Sequence, residues 1–281
     1  MGFGCNAAGI VGCRIIDSPR ERLIAIITNN FVPCNGRFPT LIAIITMFFV
    51  ADLQGPMQSV LSSLLLTGVI LLGVFMTFWV SKLLSSTILK GVPSSFTLEL
   101  PPYRKPQIGK VIVRSVFDRT LFVLGRAAAV AAPAGMLIWV MANVQVGEMS
   151  LLMHCAGFLD PFAKIMGLDG VILLAFILGF PANEIVVPIV IMAYMATGTL
   201  IEISDLTQLR QLLVANGWTW LTAVCTMLFS LMHWPCSTTC LTIHKETQSL
   251  KWTLISFGVP TVIGVVVCTL FASAVRLMGL V

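Results

Sequence analysis

Uncharged apolar runs alternate along this chain with short polar clusters, and the runs fall into two length classes. Residues 57–80 and 252–275 hold no charged side chain, and 121–144 holds only Arg126. Each is long enough for a helix to cross the ~30 Å hydrocarbon core of a bilayer. Residues 211–234 read as a further span, ending at His233-Trp234-Pro235-Cys236. The remaining runs are short or interrupted. Residues 23–31 stop at Pro33-Cys34-Asn35-Gly36, 38–51 are nearer a half-span, and 170–197 are broken by Pro181, Glu184 and Pro188. Proline removes a helix donor and glycine loosens the backbone, so these runs predict half-helices. Ser18-Pro19, ahead of the polar cluster that ends at Arg22, is a helix-start signal. The pattern predicts an all-α, polytopic membrane protein with about five to seven embedded segments, some broken or re-entrant.

Charge then orients the segments. Stretch 82–119 carries Lys82, Lys90, Arg104, Lys105, Lys110, Arg114 and Arg119 against Glu99 and Asp118. Connection 145–169 carries Glu148, Asp160 and Asp169 against Lys164. The positive-inside rule makes loop 82–119 cytoplasmic and 145–169 external. Pro93, Pro101, Pro102 and Pro106 make the cytoplasmic loop irregular, and 108–122 is an expected amphipathic helix on the membrane surface. Only 10% of the 281 residues are charged, against about 25% in soluble domains, and 57% are hydrophobic. Mean hydropathy is +0.97. The partner implied is the lipid bilayer. A clustered net charge of +5 gives no case for nucleic acid.

Eight cysteines without a C-x-x-C pair argue against a zinc ribbon and against a disulfide scaffold. Met1 leads directly into Gly-Phe-Gly-Cys, so no cleavable signal peptide is expected. The chain has no G-x-x-x-x-G-K-[ST], H-E-x-x-H or G-x-S-x-G motif. It is therefore not expected to be an enzyme or to hydrolyse GTP itself.

A short pattern occurs twice. "GFGCN" at 2–6 is followed by Val32-Pro33-Cys34, and "GFPAN" at 179–183 by Trp234-Pro235-Cys236. Each piece falls at a break in an apolar run, with Gly2, Gly4, Pro33, Gly179, Pro181 and Pro235 as the breaking residues. Paired breaks in repeats are how secondary transporters build a midplane site from half-helix ends and free carbonyls. Glu184 is costly at that depth, which favours a cation or proton site over a charge that merely caps a half-helix. Cys5, Cys34, Cys236 and His233 beside a carboxylate suit a first-row divalent metal, whereas calcium and magnesium favour oxygen alone. Asn6 and Asn183 offer amides to broken backbone or to an ion. Cys225, Cys268, His154 and His244 read as packing or interfacial residues. Arg126 either snorkels or pairs with Glu184.

"GFGCN", "PCNGRFP", "LELPPYRKP", "GFPANE" and "PCSTTCLTIHKETQSLKW" together resemble the membrane part of the ferrous-iron transport protein B family, with "ELPPYR" the most specific piece. The resemblance runs from Gly2 to about Lys251 and into the last span. It implies two gate (nucleoside-recognition-like) repeats, in the division 1–81 (partial first gate and a span), 82–119 (cytoplasmic loop), 120–250 (second gate) and 251–281 (terminal span). It implies Fe²⁺ uptake across the bacterial cytoplasmic membrane, with Cys5, Cys34, Glu184 and Cys236 at the family's path positions. Full-length members carry a cytosolic GTPase domain, so the chain looks like a split or truncated member starting inside the first gate. Fe²⁺ is then the transported substrate, no cofactor is held tightly, and GTP acts through a missing domain or a partner chain. Self-association is left open. Two other functions compete: a gate-type protein for a nucleoside or another divalent metal, and a non-transporting remnant or assembly subunit.

Overall fold

The computed structural model describes residues 2–51, 53, 55–91, 107, 109, 113, 122–147, 149–200, 203 and 205–280. Its helices are α1 (Asn6–Gly12), α2 (Pro19–Thr28), α3 (Phe38–Phe48), α4 (Pro56–Ser86), α5 (Phe122–Asn143), α6 (Leu151–Ile165), α7 (Gly170–Leu178), α8 (Val186–Met195), α9 (Leu206–Ala215), α10 (Trp220–Met232), α11 (Ser237–Thr247) and α12 (Leu250–Leu277). Strand among the described residues is a minimal hairpin, Gln145–Val146 against Met149–Ser150. The chain is all-α, as its pattern predicts. Helices α4 and α12 are long and apolar enough to cross a membrane. Loop 82–119 beyond residue 91, including "ELPPYR" and most of the expected amphipathic helix at 108–122, lies outside the described residues apart from three isolated positions. The side chain of Arg126 lies outside them too.

Local chemistry starts most of the short helices. Ser18 accepts from the Glu21 amide with Pro19 in the first turn of α2. Ser150, Asp169, Asp205 and Thr219 cap α6, α7, α9 and α10 in the same way.

Two expectations are corrected. Residues 145–169 are not a plain connection, because Ser150 starts α6, which buries Leu152, Ala156 and Ala163 on one face and exposes Phe158 and Phe162. Residues 211–234 are not one span either. The cap at Asp205 starts α9 early, the chain leaves the helix at Asn216-Gly217, and Thr219 starts α10 afresh. In both places the two helices meet at 108°. Helices α6 and α9 therefore run across the ends of α7 and α10 rather than continuing them.

Contacts at the helix ends define two faces. On one, Arg14 after α1 forms a two-bond pair with Glu246 at the end of α11 (2.6 and 2.7 Å). There Arg20 at the start of α2 also donates to Leu89 O beyond α4. On the other face, Phe48 at the end of α3 stacks on Trp218 ahead of α10, with ring centroids 5.9 Å apart. Trp218 Nε1 donates to the Tyr194 hydroxyl near the end of α8 (2.9 Å), and that hydroxyl donates to Asp169 at the start of α7. Arg276 at the end of α12 donates to Lys164 O (2.7 Å) on this same face.

Between these faces the two halves run in opposite senses. In the first, α1 runs from the middle to the Arg14 face, α2 and α3 cross as a broken span to the Trp218 face, and α4 returns. In the second, α7 and α8 enter and leave at the Trp218 face as a re-entrant hairpin, α10 and α11 cross as a broken span to the Arg14 face, and α12 returns. This is an inverted repeat of the kind that places a site at the membrane midplane.

The two full spans support the two breaks at matching places. Gly73, near the middle of α4, would bring a Cβ to 2.6 Å from Phe31 O. Gly264, near the middle of α12, would bring one to 2.9 Å from Met232 O. Neither helix has room for a side chain where a broken helix turns its carbonyl outward. Gly73→Ala and Gly264→Ala are each expected to cost about 1–3 kcal/mol through overpacking. Gly68→Ala, in the same helix but with open space around it, is expected to be neutral or mildly stabilising. Thermal unfolding in detergent, compared across the three variants, checks this.

Candidate ion path at the junction of the two repeats

Four chain breaks meet in the middle of the molecule. The first is Gly2–Cys5 before α1, the second Asn29–Arg37 between α2 and α3. The third is Gly179–Asn183 between α7 and α8, and the fourth His233–Cys236 between α10 and α11. Broken backbone inside a membrane must find partners within the protein, and here each break supplies some to another. Asn35 N donates to Gly4 O (3.1 Å), joining the second break to the first. Ser237 N donates to Phe180 O (2.8 Å), joining the fourth to the third. Because Pro33-Cys34-Asn35 matches Pro235-Cys236-Ser237, the donors correspond in the two repeats, and the acceptors fall one residue apart when GFGCN is aligned with GFPAN.

Asparagines complete the first repeat. Asn29 Nδ2 donates to Asn6 O (3.0 Å). Asn6 is buried, and its amide orientation is fixed by the groups around it. Turned to pair donor with acceptor, Asn6 donates to Gly2 O (3.1 Å) and Val32 O (3.3 Å).

Cross-repeat contacts gather on Asn30, Arg37 and Asn183. Asn30 Nδ2 donates to His233 O (2.6 Å). Arg37, only 1% exposed, reaches carbonyls of both repeats. Asn183 lies between Cys34 Sγ (3.7 Å) and His233 Nε2 (3.3 Å). The imidazole orientation is set from its other side. Nδ1 faces Phe229 O (3.0 Å) and Ser230 O (2.9 Å), both acceptors. Nε2 faces Asn183 Oδ1, which is an acceptor as well, so each ring nitrogen has an acceptor to which it can donate.

The remaining sequence-selected residues surround this core. Cys236 precedes α11 with its Sγ 3.1 Å from Thr239 Oγ1. Glu184 lies over Gly36, whose added Cβ would sit 3.0 Å from Oε2, and its side chain is exposed. Cys5 precedes α1 and is exposed. Pro33 and Pro235 are buried at their breaks, and Pro181 accepts from the Ser237 hydroxyl (3.3 Å). Cys34, Asn183 and His233 thus form a connected set with Glu184 next to it, while Cys5 stands apart at the open edge. Among the described residues no three His, Cys, Asp or Glu side chains are close enough together to hold a metal ion. Cys225 and Cys268 pack against each other's segment, as sequence suggested, with Cys268 Sγ 3.5 Å from Cys225 O.

Asn30 and Arg37 were not selected from sequence. A lone arginine at the edge of an apolar run, four residues after Pro33, was the available signal.

Comparison with known proteins follows the same outline. The family profile for the ferrous iron transport protein B C terminus matches residues 66–119, and that for nucleoside recognition (Gate) matches 124–250. The "Fe(2+) transporter FeoB" of Staphylococcus aureus (strain COL) is 29% identical over 283 residues, covering 96% of this chain. The chain is related to the membrane part of FeoB. FeoB of Leptospira interrogans (strain Fiocruz L1-130) is 26% identical over 92% of the chain, and that of Methanocaldococcus jannaschii 27% over 95%. The chain spans about two-fifths of the length of these FeoB relatives, 39%, 40% and 39% respectively. No solved structure matches it.

Asn183→Ala is expected to cost about 1–3 kcal/mol, because it strips the buried His233 Nε2 of its partner. His233→Phe should cost less when made on top of Asn183→Ala than alone, by a coupling of about 0.5–3 kcal/mol. A double-mutant cycle on unfolding in detergent measures that coupling, and a value of zero would contradict the arrangement.

Proposed function

We propose that this chain is the membrane permeation module of a ferrous-iron uptake system, working with a GTPase-bearing part of the same system. The observation that carries the reading is the meeting of four helix breaks from inverted repeats around Cys34, Asn183 and His233, with Glu184 beside them. Thiol, imidazole and carboxylate together favour a borderline metal such as Fe²⁺ over Mg²⁺ or Ca²⁺. Kinship with proteins named Fe(2+) transporter FeoB supports the same substrate.

The proposed division is the one read from sequence: 1–81, 82–119, 120–250 and 251–281. In it, α12 serves the second repeat as α4 serves the first. The proposed setting is a bacterial cytoplasmic membrane with the Arg14 face and loop 82–119 inside. The basic bias of that loop supports this, since α4 enters it on the Arg14 face, where Arg20 donates to Leu89 O.

A nucleoside is a weaker fit to the junction. Stacking a base needs free aromatic faces. Phe176, Phe229, His233, Trp234 and Phe257 instead contact one another, with Trp234 and Phe257 stacked at 5.8 Å.

Anaerobic Fe²⁺ uptake into proteoliposomes tests the proposal, with the chain alone and with a GTPase-bearing partner. Uptake is expected to exceed that of empty liposomes, and Glu184→Gln and Cys236→Ala to return it to that level. Uptake indifferent to both substitutions, or absent from every mixture of folded protein, would reject an iron path through this junction.

A further inference from the structure

The junction already contains a cation of its own. Arg37 immediately precedes α3 and is fully enclosed. Its Nη1 donates to Asn30 O (2.8 Å) and Leu231 O (3.0 Å). Its Nη2 lies 3.2 Å from Asn30 Oδ1, 3.3 Å from Trp234 O and 3.4 Å from His233 O. The oxygens come from both repeats: two from the break before α3, three from the end of α10 and the break after it. Neither ion pair found among the described residues involves Arg37. Glu184 rests on the adjacent Gly36 without pairing with it. The remaining guanidinium nitrogen, Nε, is buried without a partner.

Arginine often binds the last carbonyls of a helix, but here the carbonyls come from two separate breaks. A guanidinium is suited to the parallel oxygens of a carboxylate. Here it is met by four backbone carbonyls and one amide oxygen, the ligand type that unwound transporter helices and channel filters offer to a free cation. The C-terminal end of α10 adds the partial negative charge of a helix terminus. A side-chain cation thus sits where oxygens of both repeats converge, and its fixed charge repels other cations nearby.

We propose that these five oxygens form a cation cage, that Arg37 fills it as a tethered cation, and that this filling closes the resting junction to free cations. The proposal deepens the ion-path reading and rests on it. Arg37 is then a positioning residue that also sets the charge of the path. Emptied of its side chain, the cage would accept guanidinium and small monovalent cations. A purely mechanical staple between the repeats would need only hydrogen bonds, not charge.

The experiment uses the full chain in detergent and in liposomes. Arg37→Ala is expected to lower the unfolding temperature by roughly 10 °C, as loss of a buried, hydrogen-bonded charge does. Millimolar guanidinium chloride should restore most of that loss with a saturating dose dependence, while equal sodium chloride or urea should not, and the unsubstituted protein should not respond. In liposomes, Arg37→Lys should stay tight to Na⁺ because it keeps the charge, whereas Arg37→Gln, which keeps donors but not charge, should leak. The liposome pair stands even where the alanine variant does not fold. Equal Na⁺ leak from Lys and Gln variants, or a folded Arg37→Ala that ignores guanidinium, would overturn the cage. Because no iron enters these measurements, failed iron uptake with intact guanidinium rescue would reject the transport reading alone.

Discussion

Unpaired backbone at the middle of a membrane is the constraint around which this molecule is arranged. A helix interrupted in hydrocarbon leaves carbonyls and amides that water cannot reach, each costing several kcal/mol if left alone, on the order of 2–7. The chain interrupts its helices at four places and brings all four together. Backbone bonds from Asn35 and Ser237 tie tip to break within each repeat. Asn29 and Asn30 supply side-chain amides to the Asn6 and His233 carbonyls. Arg37 then satisfies carbonyls from both repeats with a single planar group. Remove that convergence and neither broken span has a reason to stay in place.

Symmetry accounts for most of the scaffold, and its violation accounts for the chemistry. The bonds of Asn35 and Ser237, and the close approaches at Gly73 and Gly264, recur in opposite orientation, each within one residue of the aligned position. The side chains at the junction do not repeat. Aligned on the Pro-Cys pairs, Arg37 falls opposite Thr239, which contacts the Cys236 thiol instead of reaching across the junction. His233 has Phe31 opposite it, and Asn183 reaches across to Cys34. One repeat thus contributes the buried charge and the other the imidazole. An ion crossing between them would meet unlike groups in succession rather than two copies of one site.

Much of this was legible in sequence, for a clear reason. Gly2, Gly4, Pro33, Gly179, Pro181 and Pro235 lie at breaks that covalent geometry favours, although Pro133, Pro161 and Pro260 sit inside helices. Those positions were therefore readable, and Cys34, Asn183 and His233 lie beside them. What sequence did not give depends on partners far away in the chain. Arg37 looks like an interfacial charge until the α10 carbonyls are seen around it, nearly two hundred residues on. Helix α6 hid in a segment whose acidic residues suggested a loop. Its apolar face is visible only once Leu152, Ala156 and Ala163 are known to share one side. The opposite orientation of the halves was also hidden, because inversion leaves no mark on a short motif.

On the proposed reading, the incompleteness of the ligand set is itself suited to conduction. A site that gathered three or four thiolate, imidazole and carboxylate ligands would hold a first-row metal tightly and release it slowly. Passage requires binding strong enough to strip water and weak enough to let go, usually by sharing the ion among adjacent partial sites. The described residues offer such partial sites: Cys34 with the His233–Asn183 pair, Glu184 over Gly36, Cys236 at the start of α11, and Cys5 at the exposed edge. Sulfur and nitrogen donors at the Cys34–His233, Cys236 and Cys5 steps disfavour Mg²⁺ and Ca²⁺. Selectivity would then come from the kind of ligand, release from the small number at each stage, and closure from the charge of Arg37 between them.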